Sequence, residues 1–318
     1  MKNAQTAILT VTLNPALDLS TATDSVQAGP KLRCELPRYD PGGGGINISR
    51  AVAALGGKTK ALVALGGATG AQLAQLLAAE TIATIQIVAP GETRLSFAVT
   101  ERGSLAQYRF VLPGPLWTPQ SVSAAIEAIT AAAQPHGFVV VSGSQPPGVP
   151  DDFIAILRTV LPQTVRLIAD TSGAPLQAVT AGGGAALDTI RMDAEEAELL
   201  AQAPLSNRVN SADFAQALVR RGAAERVIIA RGADGSVMAT ATHRWFCKAA
   251  EVPVKSKIGA GDSFVAGFVL ALARGQLEAE ALGFGVAAAS AAVMTPATEL
   301  CRRTDAEALV AVCPVSEV

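Results

Sequence analysis

The stretch Ile258-Gly259-Ala260-Gly261-Asp262-Ser263-Phe264 puts a carboxylate at the mouth of a glycine-flanked helix start. Backbone N–H groups at such a start form a cradle for anions, phosphate among them. A carboxylate there repels phosphate, so binding alone does not explain it. It does suit removal of a proton from an alcohol that attacks the phosphate. On that reading Asp262 is a general base. Gly259, Ala260 and Gly261 supply the N–H groups that hold the charge growing on the transferred group. An Asp that merely caps its own helix fits the same tetrad.

A second glycine group, Pro41-Gly42-Gly43-Gly44-Gly45-Ile46-Asn47, also precedes a helical pattern. Glycines let the backbone approach a ligand closely, and the amide of Asn47 both donates to and accepts from hydroxyls. The alternative is a surface loop that only punctuates the chain. Asp18 follows the first strand-like segment, where a carboxylate can hold sugar hydroxyls or a turn. Lys31, Arg33, Arg94 and Arg109 fall in alternating segments. As a set they suit an anionic substrate, because Arg forks match phosphate geometry. Singly, each fits a solvated strand face.

The elements that must position these groups follow an alternating pattern. Apolar runs at 7–13, 60–65, 137–141, 165–170, 186–190 and 226–230 read as buried strands. Helical patterns at 45–55, 69–79, 151–161, 193–201 and 211–221 lie between them, and 261–273, 277–293 and 305–312 make a helical C-terminal third. Continuous apolar strands spaced by helices predict a doubly wound α/β fold, its mostly parallel sheet covered on both faces. The whole chain, 1–318, reads as a single domain. Lys31–Arg38 and Leu95–Leu112 alternate instead, the latter around a turn at Arg102-Gly103-Ser104. They predict a small β-sheet lid, its strands within about 17–40 and 93–112.

Other chemistries are excluded or weak. The net charge is -2 with no basic run, which argues against a nucleic-acid partner. Cys34, Cys247, Cys301 and Cys313 are scattered without a CxxC pair, so reduced thiols in a cytoplasmic protein are expected. The N-terminus lacks the apolar stretch of a signal peptide, and Phe284–Met294 is too short to span a bilayer, so no membrane association is expected. Gly57-Lys58-Thr59 resembles the end of a P-loop, but Val52 stands where its first glycine is needed. No dinucleotide fingerprint or GxSxG elbow occurs, and His136 and His243 have no metal-ligand pattern nearby.

With both motifs placed, the chain resembles the PfkB-type carbohydrate kinases of the ribokinase superfamily over nearly its whole length. Gly43–Gly66 follows the first family signature, with Asn47, Gly56 and Gly66, and Ser256–Phe268 follows the second, which ends in GAGD and Gly267. The resemblance implies a ribokinase-like fold with a β lid, ATP with Mg²⁺, and a homodimer made through the lids. It implies sugar-binding roles for Asp18, Gly43, Gly44, Asn47, Arg94 and Ser144, with Lys31 and Arg33 near the sugar phosphate. Arg231, Gly232 and Gly235 fall on the family's nucleotide loop. The stretches TLNPALD, GGGGIN, YRFVLPGP and SGSQPPGV resemble the branch that phosphorylates fructose 6-phosphate to the 1,6-bisphosphate. Kinases of tagatose 6-phosphate and fructose 1-phosphate usually carry a lysine where this chain has Gly44; they are the alternatives. A sensor that kept the fold without catalysis is the alternative of another class.

The sequence departs from the family pattern at three places. A KPNxxE stretch that manages Mg²⁺ and phosphates reads Arg191-Met192-Asp193-Ala194-Glu195-Glu196 here. Glu196 is kept, and Asp193 replaces the Asn; either carboxylate can hold Mg²⁺ through water. Arg191 and Asp193 are expected beside the ATP. Lys257 stands where Thr or Ser is usual, which suggests a built-in positive charge in place of the monovalent cation some relatives bind. Glu299 lies in a late loop where relatives differ.

Overall fold

The computed structural model describes residues 5–80, 82–296 and 299–318; the first four residues of the N-terminal stretch therefore lie outside the described residues. The strands are β1 (Ile8–Thr12), β2 (Ala16–Thr23), β3 (Arg38–Gly42), β4 (Lys60–Leu65), β5 (Ala83–Val88), β6 (Arg94–Glu101), β7 (Gln107–Val111), β8 (Phe138–Ser142), β9 (Arg166–Asp170), β10 (Leu187–Asp193), β11 (Ala224–Ala230), β12 (Ser236–Ala239), β13 (Arg244–Cys247) and β14 (Val315–Glu317). The helices are α1 (Gly44–Ala54), α2 (Gly67–Ala79), α3 (Pro119–Ala132), α4 (Phe153–Val160), α5 (Gly173–Thr180), α6 (Ala194–Ala201), α7 (Arg208–Arg220), α8 (Ala260–Ala273), α9 (Glu278–Ala292) and α10 (Arg303–Leu309).

Ten strands form the main sheet in the order β14-β13-β12-β11-β10-β9-β8-β1-β4-β5. From β11 to β5 all pairs are parallel, while β12, β13 and β14 close that edge antiparallel. Buried runs such as Phe138–Ser142 fit a sheet covered on both faces. Leu9, Val11 and Val139 face α3, α4, α5 and α7; Ile8, Phe138 and Val140 face α1, α8 and α9. Helix α8 is apolar on nearly every side, as a helix packed in the core must be. Gly267 allows that packing, since a Cβ there would lie 2.9 Å from Ala288 and from the Phe284 carbonyl of α9.

The chain leaves β1 for β4 on one side and later returns as β8 on the other. The strand order thus reverses beside β1, and open α/β sheets bind ligands in the crevice at such a switch point. Over it stands a second sheet, ordered β3-β2-β6-β7. The lid is therefore present, with one correction: residues 31–37 form no strand, and β2 and β3 flank that irregular segment instead. Thr21 and Thr23 hydroxyls donate to the carbonyls of Glu35 and Arg33, so the segment runs along β2 without joining the ladder.

Candidate active site

Register divides the lid into two faces. Asp18, Ser96 and Asp40 align on one, and Leu19, Phe97, Phe110 and Tyr39 on the other. Arg94, the first residue of β6, donates from Nε to the Asn14 carbonyl at 3.2 Å and so lies against the end of β1. Burial pushes the Asp18 carboxyl up to about 6, against the pull of the Ser96 hydrogen bond and the Arg94 and Arg109 charges.

The glycine loop is fixed by close approach. A Cβ at Gly42 would lie 2.2 Å from the Asp18 carboxylate, and one at Gly44 would lie 2.2 Å from Ser142 Oγ and 2.9 Å from the Gly143 nitrogen. Gly43 has φ +123°, a conformation side chains disfavour. These glycines seat the start of α1 between the ends of β1 and β8. Asn47 then reaches across, and its Nδ2 donates to Asp262 Oδ2 at 2.9 Å. Ser144 lies on the loop after β8 and accepts from Asn14 Nδ2 at 3.1 Å.

Gly259 opens α8 with φ +74°, and Ser263 N–H returns to its carbonyl at 2.8 Å. The N–H groups of Gly261 and Asp262 belong to the first turn, which has no intrahelical acceptors. The Arg191 guanidinium stands against the cradle: a Cβ at Gly261 would meet its Nη2 at 3.2 Å. Burial raises the Asp262 carboxyl to about 7, with the neighbouring Asp170 charge adding to the rise and Asn47 and Arg191 opposing it. A base poised near neutrality suits proton removal at working pH.

Beside this cradle runs a cavity of about 780 Å³ lined by Arg191, Asp193, Gly232, Gly235, Ala260 and Gly261, among others. Its size suits a ligand of nucleotide dimensions. Gly235 needs its glycine, because a Cβ there would lie 2.0 Å from the Cys247 carbonyl. Asp193 caps α6 in a reciprocal box: its Oδ1 accepts from Glu196 N–H at 2.9 Å, and Glu196 Oε2 accepts from Asp193 N–H at 2.8 Å. Burial raises the Glu196 carboxyl. One oxygen of each carboxylate is thus engaged, Asp193 on the cavity wall and Glu196 one turn into α6. No group of three or more metal-ligating side chains occurs among the described residues. The oxygen donors present fit Mg²⁺ that keeps its waters and shares phosphate oxygens.

The site assembles most of the expected residues but not all. Arg231 does not line the cavity; its guanidinium bonds Asp234, the Leu205 carbonyl and the Ser211 hydroxyl, tying its loop to α7. Lys31 and Arg33 are exposed and form no ion pair among the described residues. Asp170 was not anticipated. It accepts from Ser142 Oγ at 2.9 Å and pairs with Arg191 at 3.2 Å. Its signal was a charged residue at the carboxyl end of a buried strand, where α/β sheets place their ligands.

A small second sheet over a crevice, an anion cradle with a poised carboxyl and a nucleotide-sized cavity together define a small-molecule phosphotransferase. Residues 12–305 match the pfkB family carbohydrate kinases, and the chain belongs to that family. It is 38% identical over 305 residues to the ATP-dependent 6-phosphofructokinase isozyme 2 of Mycobacterium tuberculosis, covering 94% of this chain and 88% of the relative. To the isozyme 2 of Escherichia coli it is 35% identical over 307 residues, covering 96% and 98%. Crystal structures of the Escherichia coli phosphofructokinase-2 with potassium and with fructose-6-phosphate match with TM-scores of 0.91 and 0.89. Both share 34% identity and cover 96% of this chain and 99% of theirs. The fold is therefore ribokinase-like, and the chain is a kinase. Among the described residues no helix is long and apolar enough to cross a membrane.

Proposed function

We propose that this kinase transfers the γ-phosphoryl group of ATP to the primary hydroxyl of fructose 6-phosphate. The observation that carries the reading is Asp262, fixed by Asn47 where the anion cradle meets the polar face of the lid. Asp18, Asn47 and Ser144 hold the sugar hydroxyls, Gly43 and Gly44 allow their close approach, and Arg94 meets the sugar phosphate. Asp262 takes the hydroxyl proton, and the N–H groups of Gly259 and Gly261 hold the charge on the transferred group, while the Ala260 N–H is turned back to the Lys257 carbonyl at 3.4 Å. Arg191, bonded to Asp170, keeps a positive charge against the cradle. Gly232 and Gly235 shape the nucleotide wall. Asp193 and Glu196 would hold Mg²⁺, which when bound would supply charge neutralisation on the phosphates. Lid closure excludes water that would otherwise take the phosphoryl group.

Lys257 lies on the cavity wall beside Ala260. It supplies positive charge there and stands in for a monovalent cation; a rate that climbs steeply on adding K⁺ would refute this. A second copy of the chain covers the apolar face of the lid, giving a homodimer.

The test is ADP release with ATP and Mg²⁺ on fructose 6-phosphate, tagatose 6-phosphate, fructose 1-phosphate and fructose. Preference for fructose 6-phosphate is expected. Preference for another ketose phosphate would replace the substrate and keep the mechanism, while no turnover on any would leave a sensor.

A further inference from the structure

Three polar groups buried beside the sugar site have no hydrogen-bond partner, backbone or side chain, among the described residues. They are Asn14 Oδ1, both atoms of the Gln145 amide, and Trp117 Nε1. Their residues lie where two loops meet at the end of β1. A Cβ at Gly114 would lie 2.1 Å from Asn14 Oδ1 and 3.4 Å from Pro146 Cβ, so Asn14 sets its oxygen against that meeting point. Across it, the Trp117 N–H of the backbone donates to the Pro147 carbonyl at 2.7 Å, and Trp117 packs in one core cluster with Leu13, Val141 and Val149. Asn14 and Trp117 are only 7% and 3% exposed. Groups buried so deeply are destabilising unless each finds a partner.

Their chemistry is complementary. An indole N–H only donates, the Asn14 oxygen only accepts, and the Gln145 amide does both. Gln145 Oε1 suits the indole N–H, which leaves Gln145 Nε2 to donate to Asn14 Oδ1. The other end of Asn14 already donates, from Nδ2 to Ser144 Oγ at 3.1 Å. A hydroxyl oxygen that accepts there keeps its own proton free to donate elsewhere. Ser144 is exposed, so that proton is open to a ligand. Turned end for end, the Asn14 amide would accept from Ser144 and leave it only an acceptor. The indole cannot be reversed in this way, so it sets the direction of every bond after it.

We propose that Gln145 is a positioning residue of the sugar site. It joins Trp117 to Asn14, holds the Asn14 nitrogen towards Ser144, and so makes Ser144 a donor to an acceptor oxygen of the ketose phosphate. This rests on Ser144 being a sugar-binding residue of the kinase reading. Gln145 acts through Asn14, because its own amide atoms are buried. The Asn14 carbonyl also accepts from Arg94 Nε at 3.2 Å, so one residue ties the hydroxyl that meets the sugar to the cation that meets its phosphate.

Gln145→Leu removes the link. KM and the calorimetric Kd for fructose 6-phosphate should both rise about 2–10-fold, the contribution of one neutral hydrogen bond, with KM for ATP unchanged. Trp117→Phe keeps an aromatic ring and removes the donor. It should give a similar rise, and it carries the test should Gln145→Leu fail to fold. A double-mutant cycle with Ser144→Ala then separates positioning from packing. With the hydroxyl gone, Gln145→Leu should add nothing further to Kd. Effects that simply add overturn the proposal, since Gln145 then does not act through Ser144. A lowered Tm with KM and Kd intact overturns it too. Wild-type turnover matched by both variants defeats this inference alone. A wild type that binds fructose 6-phosphate without turning it over defeats the kinase reading alone, and Kd then decides the role of Gln145. Failure of the wild type to bind fructose 6-phosphate overturns both.

Discussion

Asp262 can be tested by its charge. Asp262→Asn keeps the shape and removes the base, so kcat should fall by about 10²–10⁴ while both substrates still bind, as calorimetry would report. Unchanged kcat would place the base elsewhere. The raised carboxyls also fix the pH profile. With Asp262 at about 7 and Asp18 at about 6, kcat/KM for the sugar should rise with pH through that window. Stability runs the opposite way. A carboxyl whose folded pKa lies above its unfolded value binds more protons when folded, so the fold loses stability as pH climbs towards the folded value. Asp262→Asn should therefore raise Tm relative to wild type at alkaline pH, with the gain shrinking in acid. An equal gain at both would show that burial does not penalise this charge. Asp262 was legible in the sequence because a glycine pair and a helix start surround it. Asp170 was harder to read, because its one mark, an acid closing an apolar run, is shared by acids that only end a strand or cap a turn. Arg231 misled because a cation on a glycine turn looks alike whether it faces a ligand or its own chain.

The elements show where pattern reading succeeds. The parallel strands β1, β4, β8, β9, β10 and β11 were legible as apolar runs. The hairpin of β6 and β7 was legible from its alternation and turn. The antiparallel edge strands β12 and β13 are four residues each, too short for a period to declare itself. Residues 31–37 alternate in sequence yet form no strand: one backbone bond, from the Glu35 N–H to the Ala22 carbonyl at 2.9 Å, and two threonine hydroxyls tie them to β2, too few backbone bonds to make a ladder. One element boundary has a mechanical role. Glu92, two residues before Arg94, accepts from the Ala68 and Thr69 N–H groups at 3.1 and 3.2 Å and from the Thr69 hydroxyl at 2.8 Å. Thr93 joins the same turn, with its N–H donating to the Gly66 carbonyl at 2.9 Å. These bonds clamp the root of the lid strand that carries Arg94. Hydrogen bonding lowers the Glu92 carboxyl, so the clamp is charged at neutral pH. Glu92→Gln should raise KM for the sugar phosphate severalfold and leave KM for ATP unchanged. A lower Tm with both KM values intact would reduce the clamp to a structural bond.

At the scale of the molecule, the lid is too thin to bury both its faces. Its polar face belongs to the site, while Tyr39, Tyr108 and Phe110 of the other are 37%, 38% and 48% exposed. Exposed aromatics clustered on one sheet face fit the proposed homodimer. A second lid laid on the first would cover them and would carry its own 29–37 segment towards the neighbouring crevice. That accounts for Lys31 and Arg33, which have no ion pair in their own chain among the described residues. Light scattering should then give a dimer for the wild type and a monomer for Phe110→Asp, with a raised KM for the sugar phosphate. Mixing supplies the sharper test. Lys31→Ala lacks the cation and Asp262→Asn lacks the base, so each is impaired alone. In a mixed dimer the protomer that keeps Asp262 receives Lys31 from its partner and regains one complete site. Activity that reappears when the two variants are dissociated and reassembled together places Lys31 across the interface. Activity that stays at the sum of the separate preparations keeps it with its own chain and removes the reason for the lid to dimerise.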